Sequence, residues 1–385
     1  MQNTSKTVNS MLDSYSNKNY ILCLKITNNI LLNDKNNIIA LKIKAACLKT
    51  LGRFEEALST YVLMLKFDTQ IPELYYNIGN LYREAGNLKM AAQKYKESID
   101  KNPNFLQAYA ALSVIHLENN NLQEAKNFCT QGLLISNNSF DLHYAMSILY
   151  FYECLYEESI NELTIALKIS NGTSIEAGIA LAIVKRIDSL KKRNLIDKSI
   201  NIKNFNKKYE RNFSQEQLTV KERYLDTVYK SDNTLLKNLP DARFGEGICT
   251  PNFRLFELNC TIIKEMRDEL SKLMINCVNS EIILLDSFCN IFFGKSGTTP
   301  HHHLKSFDNY FDMGLRKFSL VWYLNVGDQN SLDPGILKLF EPEISILPKN
   351  GDVIIIPSNR KHSSSYSGDS KRVMVGVNFY SLPSC

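Results

Sequence analysis

The chain has 385 residues, more than one hydrophobic core ordinarily serves, so two or three domains are expected. Apolar residues at 44% and charged residues at 22% exclude a wholly disordered chain, while 16 Gly and 10 Pro exclude collagen-like and Pro-rich classes. A net charge of +5 does not by itself call for nucleic acid, no apolar run approaches a membrane span, and the N-terminal MQNTSKTVNSML has no apolar signal core; a cytoplasmic protein without a membrane partner is expected.

The first recognisable pattern is a repeat. Pro72 to Pro103 reads PELYYNIGNLYREAGNLKMAAQKYKESIDKNP. Tyr75, Ile78, Gly79 and Tyr82 share one helical face, Gly86-Asn87 breaks the helix, and Ala91, Tyr95 and Ser98 mark the packing face of a second helix. Gly79 and Ala91 are small where the two helices would approach closely. Stepping 34 residues back from Gly86, Ala91 and Tyr95 reaches Gly52, Ala57 and Tyr61; stepping forward reaches Asn120, Ala125 and Cys129. A further unit around Tyr150–Ser170 keeps the helical spacing without the Gly, and a degenerate one is expected near Asn19–Leu31. This region, residues 1–173, resembles a tetratricopeptide (TPR) array. The resemblance implies an α-solenoid of helix hairpins whose groove grips a protein or peptide partner. Tyr75, Tyr82 and Tyr95 fall on packing positions, so they read as inter-helix core. His116 and His143 each stand alone on a helix and read as packed or surface side chains.

Residues 174–235 read as a helical connector or cap. Ser174–Leu190 is a predicted helix, and Ser214–Tyr229 another. Between them, Lys185–Arg211 holds ten Lys/Arg against three Asp/Glu, with Phe205, Tyr209 and Phe213 in or just beyond it. Basic residues interleaved with aromatics can bind nucleic acid. No nucleic-acid motif accompanies them, so a solvated connector is the better reading.

From about Leu239 onward, residues 236–385 change character. One helix is predicted at Thr261–Val278, followed by strand-like runs at Glu281–Phe293, Phe318–Val326, Ile336–Phe340, Asp352–Pro357 and Arg372–Tyr380. Turns such as Asp333-Pro334-Gly335 separate them, as in a sandwich or barrel. Four of the six histidines fall between 301 and 362. Side chains alternate along an extended segment, so His301 and His303 point one way and His302 the other. His362 can close a triad from an opposing strand, which leaves an open face on the metal as in a non-haem Fe(II) facial triad. Arg372 opens a strand ten residues later, sharing a face with Met374, Gly376 and Asn378; a guanidinium there can hold a carboxylate in bidentate fashion. Nine cysteines without a CxxC pair read as free thiols, with no support for a zinc-thiolate site.

On these residues the segment from about 290 to 382 resembles the double-stranded β-helix (jelly roll) core of 2-oxoglutarate/Fe(II)-dependent oxygenases, in a variant with HxH in place of HxD. The segments SLVWYL, GILKLF, GDVIIIPSNRKHS and RVMVGVNFYSL resemble a bacterial and phage group of oxygenases that uses HxH, and the segment from ARFGEGICTPNFRLFE through NFYSL, joined to TPR repeats, resembles cyanobacterial proteins of largely unassigned function. The resemblance implies Fe(II) held by His301, His303 and His362, 2-oxoglutarate anchored on Arg372, and Tyr323 and Asn378 as further co-substrate contacts. It implies a dioxygenase that hydroxylates a substrate recruited by the TPR groove. His303 stands where the family pattern has a carboxylate, and Asp308, five residues on, cannot take that place. The all-His set is neutral and also suits Zn or Mn. The spacing Gly351, Pro357, His362 fits a cupin-like metal protein that does not use 2-oxoglutarate, and a non-catalytic TPR scaffold is the remaining alternative. Asn290 is a candidate beside the site, and Trp322 reads as core or pocket wall.

Overall fold

The computed structural model describes residues 2–17, 19–195, 207–210, 214–231, 248–249, 254–292, 294 and 296–384. The chain divides into two units, Met1–Ala177 and Gly178–Cys385.

The 34-residue period governs the first unit. Its described helices form five hairpins: α1 (Gln2–Ser16) with α2 (Tyr20–Asn33), α3 (Ile38–Thr50) with α4 (Phe54–Phe67), α5 (Pro72–Glu84) with α6 (Leu88–Lys101), α7 (Leu106–Glu118) with α8 (Leu122–Ile135), and α9 (Phe140–Tyr152) with α10 (Tyr156–Ile169). The side chains of Asn19, Asn37 and Asn87 cap α2, α3 and α6 by accepting from the backbone N–H of Leu22, Ala40 and Met90. Within four of the hairpins the turn places one residue in the left-handed region: Gly52 (φ 73°), Gly86 (φ 78°), Asn120 (φ 57°) and Cys154 (φ 60°). Only the first two are glycine, so the turn persists after the residue that favours it has been lost. The partner positions Ala57, Ala91, Ala125 and Ser159 are all fully buried. The close approach expected at Gly79 is to Tyr95, not to Ala91: a Cβ on Gly79 would lie 2.5 Å from the Tyr95 ring. In the next repeat the same pair is Ser113 with Cys129, 2.9 Å apart. Bulk lost on one helix is regained on the other, which keeps the interior filled.

His116 stacks on Phe128, with ring centroids 5.3 Å apart. His143 is buried between the Glu162 carboxylate (2.5 Å) and the Asn137 carbonyl (2.8 Å). Both are packed side chains.

The first unit ends within α11 (Ile175–Lys192), and the second continues with β1 (Lys207–Tyr209), α12 (Gln215–Ser231), β2 (Ile248–Cys249) and α13 (Thr261–Val278). The basic segment thus contributes a strand, while Phe205 and Phe213 lie outside the described residues. Eight further strands follow: β3 (Ile282–Phe292), β4 (Ser296–His301), β5 (Lys317–Asn325), β6 (Pro334–Leu339), β7 (Ile344–Ile346), β8 (Val353–Pro357), β9 (His362–Tyr366) and β10 (Arg372–Ser381). They form a six-stranded sheet in the order β1-β8-β5-β10-β3-β2 and a four-stranded sheet in the order β4-β9-β6-β7. Every strand pairing is antiparallel.

Strand alternation divides the large sheet into two faces. Leu320, Trp322, Leu324, Val373, Val375 and Val377 pack with Ile263, Met266, Leu270 and Met274 of α13, and Leu218 and Leu225 of α12 join this core. The opposite face turns Tyr323, Ile354, Ile356 and Met374 against Leu337, Leu339 and Tyr366 of the small sheet. Trp322 is therefore core on the helix side, away from the space between the sheets. The predicted helix and the five predicted strand runs are present within one or two residues. The short polar strands β4 (SGTTPH) and β9 (HSSSY) carry no apolar alternation and were not predicted as strands.

Candidate metal centre

Residues that are far apart in sequence meet on those two polar strands. His301 is the last residue of β4 and His362 the first of β9, and the register pairs them directly. His303 lies two residues beyond β4, outside any strand. Its Nε2 is 3.2 Å from Nε2 of His362. One ligand atom from each of the three imidazoles falls within 4.8 Å of the others. His302 is exposed and faces elsewhere, accepting from the Leu304 N–H at 3.3 Å.

Backbone carbonyls fix the orientation of two rings. Nδ1 of His301 lies 2.8 Å from the Thr299 carbonyl, and Nδ1 of His362 lies 3.1 Å from the Arg360 carbonyl. A ring nitrogen facing a carbonyl carries the proton, so Nε2 of each presents its lone pair to the common centre. Burial, reinforced by the neighbouring imidazoles, pushes His362 down to about 4 and His303 down to about 2. Both rings are neutral near pH 7 and are competent nitrogen ligands without first losing a proton.

Asp308 is absent from this cluster for a clear reason. Its buried carboxylate is bonded to Lys317 (2.8 Å), to the Lys305 N–H (2.7 Å) and to the Tyr380 hydroxyl.

Arg372, the first residue of β10, is fully buried. Nη1 donates to the Val326 and Pro334 carbonyls (3.2 and 3.3 Å), and Nη2 to the Gly335 carbonyl (2.6 Å). The guanidinium sits over the rings of Tyr323 (5.0 Å) and Tyr366 (5.7 Å). Burial raises the Tyr323 phenol, an effect opposed by Arg372. Gly335, read from sequence only as a turn residue, forms the cradle: a Cβ there would lie 2.0 Å from Nη1 of Arg372.

Arg372 Nε, Ser364 Oγ and Asn290 Oδ1 are buried without a hydrogen-bond partner. Alternation places Ser364 on the His362 side of β9, and Asn290 on the inner face of β3 opposite Met374. Orphaned polar atoms at such positions suit a polar ligand between the sheets. Asn378 differs. Its amide donates to Asp286 (2.6 Å) and accepts from Ser319 (2.6 Å), so both ends are already committed. Ser364 and the partners of Asn378, Ser319 and Asp286, were not singled out in the sequence, where they carry no motif.

The first unit is a solenoid of TPR repeats. Residues 82–149 match the family model described as tetratricopeptide repeat. Among solved structures, the chain is similar to a thermophilic TPR protein of Thermus thermophilus, with 16% identity, coverage of 47% of this chain and 98% of that one, and a TM-score of 0.40. It is also similar to PilF of Pseudomonas aeruginosa, with 16% identity, coverage of 49% and 85%, and a TM-score of 0.42. YrrB, described as a TPR protein with an unusual peptide-binding site, matches at 15% identity, with coverage of 44% and 84% and a TM-score of 0.34. No curated protein matches the chain. Among the described residues, no helix is long and apolar enough to cross a membrane.

Proposed function

We propose that the second unit is a 2-oxoglutarate/Fe(II)-dependent dioxygenase on a double-stranded β-helix, and that the TPR groove recruits its protein or peptide substrate. The observation that carries this reading is the convergence of three imidazoles, two of them with Nε2 set forward, with an arginine beyond them whose buried Nε–H has no partner. The chain passes from the large sheet at β3 to the small at β4, then alternates through β5, β6–β7, β8, β9 and β10, which supports the β-helix reading.

His301, His303 and His362 would hold Fe(II) through nitrogen. Arg372 would bind the distal carboxylate of 2-oxoglutarate through its free Nε–H, while its Nη bonds keep the guanidinium fixed. Tyr323 flanks that guanidinium and would orient the same carboxylate. Bound Fe(II) and 2-oxoglutarate would supply oxidative chemistry with dioxygen as the oxidant, one oxygen atom going to the co-substrate as it becomes succinate and CO2 and the other into a substrate C–H bond. The neighbouring chain excludes water: Tyr323, Tyr366, Leu337 and Leu339 are almost fully buried.

One observation favours a second reading. Arg372 already serves three backbone carbonyls, a structural role that a cupin-like metal protein without 2-oxoglutarate also requires.

The experiment is metal analysis of anaerobically purified protein, followed by titration of 2-oxoglutarate into the Fe(II) form. One iron and a charge-transfer band, with the metal lost in His362→Ala and the band lost in Arg372→Lys, is the expected result. Metal without 2-oxoglutarate binding selects the cupin-like reading. No metal leaves the TPR array as a non-catalytic scaffold.

A further inference from the structure

His301 and His362 are held by strand pairing, whereas His303 is not. The backbone at His303 is instead fastened at two points. Its N–H donates to the Ser358 carbonyl (2.9 Å), and its carbonyl accepts from Nζ of Lys317 (2.7 Å). Lys317 is the first residue of β5 and only 1% exposed. Its ammonium also bonds Asp308 Oδ2 at 2.8 Å. That carboxylate closes the loop after His303 by accepting from the Lys305 N–H, and it is fixed in turn by the hydroxyl of Tyr380 on β10. Lys317 and Tyr380 are linked through the ladder between β5 and β10, because the register pairs them directly. The ammonium lies 5.5 Å from the Tyr380 ring and 5.8 Å from the Phe307 ring.

Burying a lysine and an aspartate together is a poor way to gain stability, since the desolvation of two charges offsets most of their attraction. Two apolar side chains of similar size would hold the sheet at least as well. What an apolar pair cannot do is donate to the carbonyl of His303. The ion pair is therefore explained by the conformation it selects.

We propose that Lys317 is a positioning residue for the third metal ligand: its ammonium, held by Asp308 and Tyr380, fastens the His303 loop to the large sheet and sets that imidazole against His362. This inference rests on the metal-centre reading above. It assigns to the fold a device that replaces the strand pairing available to the other two ligands.

The test uses full-length protein with Co(II) as the probe. The variants are Lys317→Met and the double variant Lys317→Met/Asp308→Asn, in which no lone buried charge remains. Trp322 fluorescence reports whether the second unit stays folded. The double variant is expected to fold, to bind Co(II) about 10–100-fold more weakly than wild type, and to show an altered visible spectrum as one imidazole leaves the coordination sphere. In crystals of the metal-free double variant, the 3.2 Å contact between His303 and His362 is expected to be lost. A folded double variant with wild-type affinity, spectrum and contact would overturn the proposal. If wild type itself binds no Co(II), the metal-centre reading falls, and the His303–His362 contact in the metal-free variant alone decides the role of Lys317.

Discussion

Acid should destabilise the metal-free second unit through His362. Unfolded, this imidazole titrates near 6.5; folded, burial brings it down to about 4. Between these values the unfolded chain takes up a proton that the folded chain does not. Stability is therefore fully present above about pH 6.5 and declines as pH falls towards about 4. From about pH 7.5 to about pH 4.5, one group with these two values removes about 2–3 kcal/mol. His303, held lower still, adds to the loss in the same direction. The protein has a single tryptophan, Trp322, fully buried in the core of the second unit, so its fluorescence follows that unit and is silent on the solenoid. Urea unfolding of chelator-treated protein at a series of pH values gives the slope. His362→Asn, which cannot titrate, should flatten it by about 2–3 kcal/mol over that range. An unchanged slope in the variant would refute the argument that burial controls the protonation of His362. Saturating metal should protect wild type against acid until protons compete for the ligands, and should not protect the variant.

Other outcomes follow from the two units taken separately. Cys154→Gly should stabilise the solenoid by about 1 kcal/mol, because Cys154 occupies a left-handed conformation that costs a side chain about that much; a thermal midpoint by far-UV circular dichroism that does not rise would contradict this. Gly79→Ala should destabilise it by about 1–3 kcal/mol through collision with Tyr95, read as a lower thermal midpoint by far-UV circular dichroism. Arg372→Lys should lower the stability of the second unit by about 1–3 kcal/mol, since carbonyls now bonded to the guanidinium lose a donor. The same variant should retain metal while losing 2-oxoglutarate. Loss of both would mean that Arg372 acts through the fold alone.

Local regularities were legible in the residues themselves. The 34-residue spacing that joins Gly52 to Gly86, and Ala57 to Ala91 and Ala125, is a property of short helices packing on their neighbours. It survives in sequence because each repeat meets the same steric demand. The amphipathic helix at Thr261–Val278 and the apolar run of β8 were readable for the same reason. The grouping of His301, His303 and His362 was legible through composition and spacing, since so few histidines occur elsewhere. What holds them was not. β4 and β9 are short and polar and lack the apolar alternation by which strands are recognised, so the direct pairing of His301 with His362 emerged only when the sheet formed. Asn378 shared a face with Arg372 in sequence, yet its neighbours Asp286 and Ser319 come from other strands and occupy both ends of its amide. Gly335 and Lys317 belong to the same class. Each matters because of a residue at least nine positions away, the guanidinium of Arg372 in one case and the carboxylate of Asp308 in the other. Sequence determined which segments coil, which extend and where histidine is concentrated, because those depend on neighbours along the chain. Tertiary structure alone decided which imidazole each strand presents, which arginine nitrogen is left without a partner and which buried charge bonds the His303 carbonyl, because these depend on register between strands that meet only after folding.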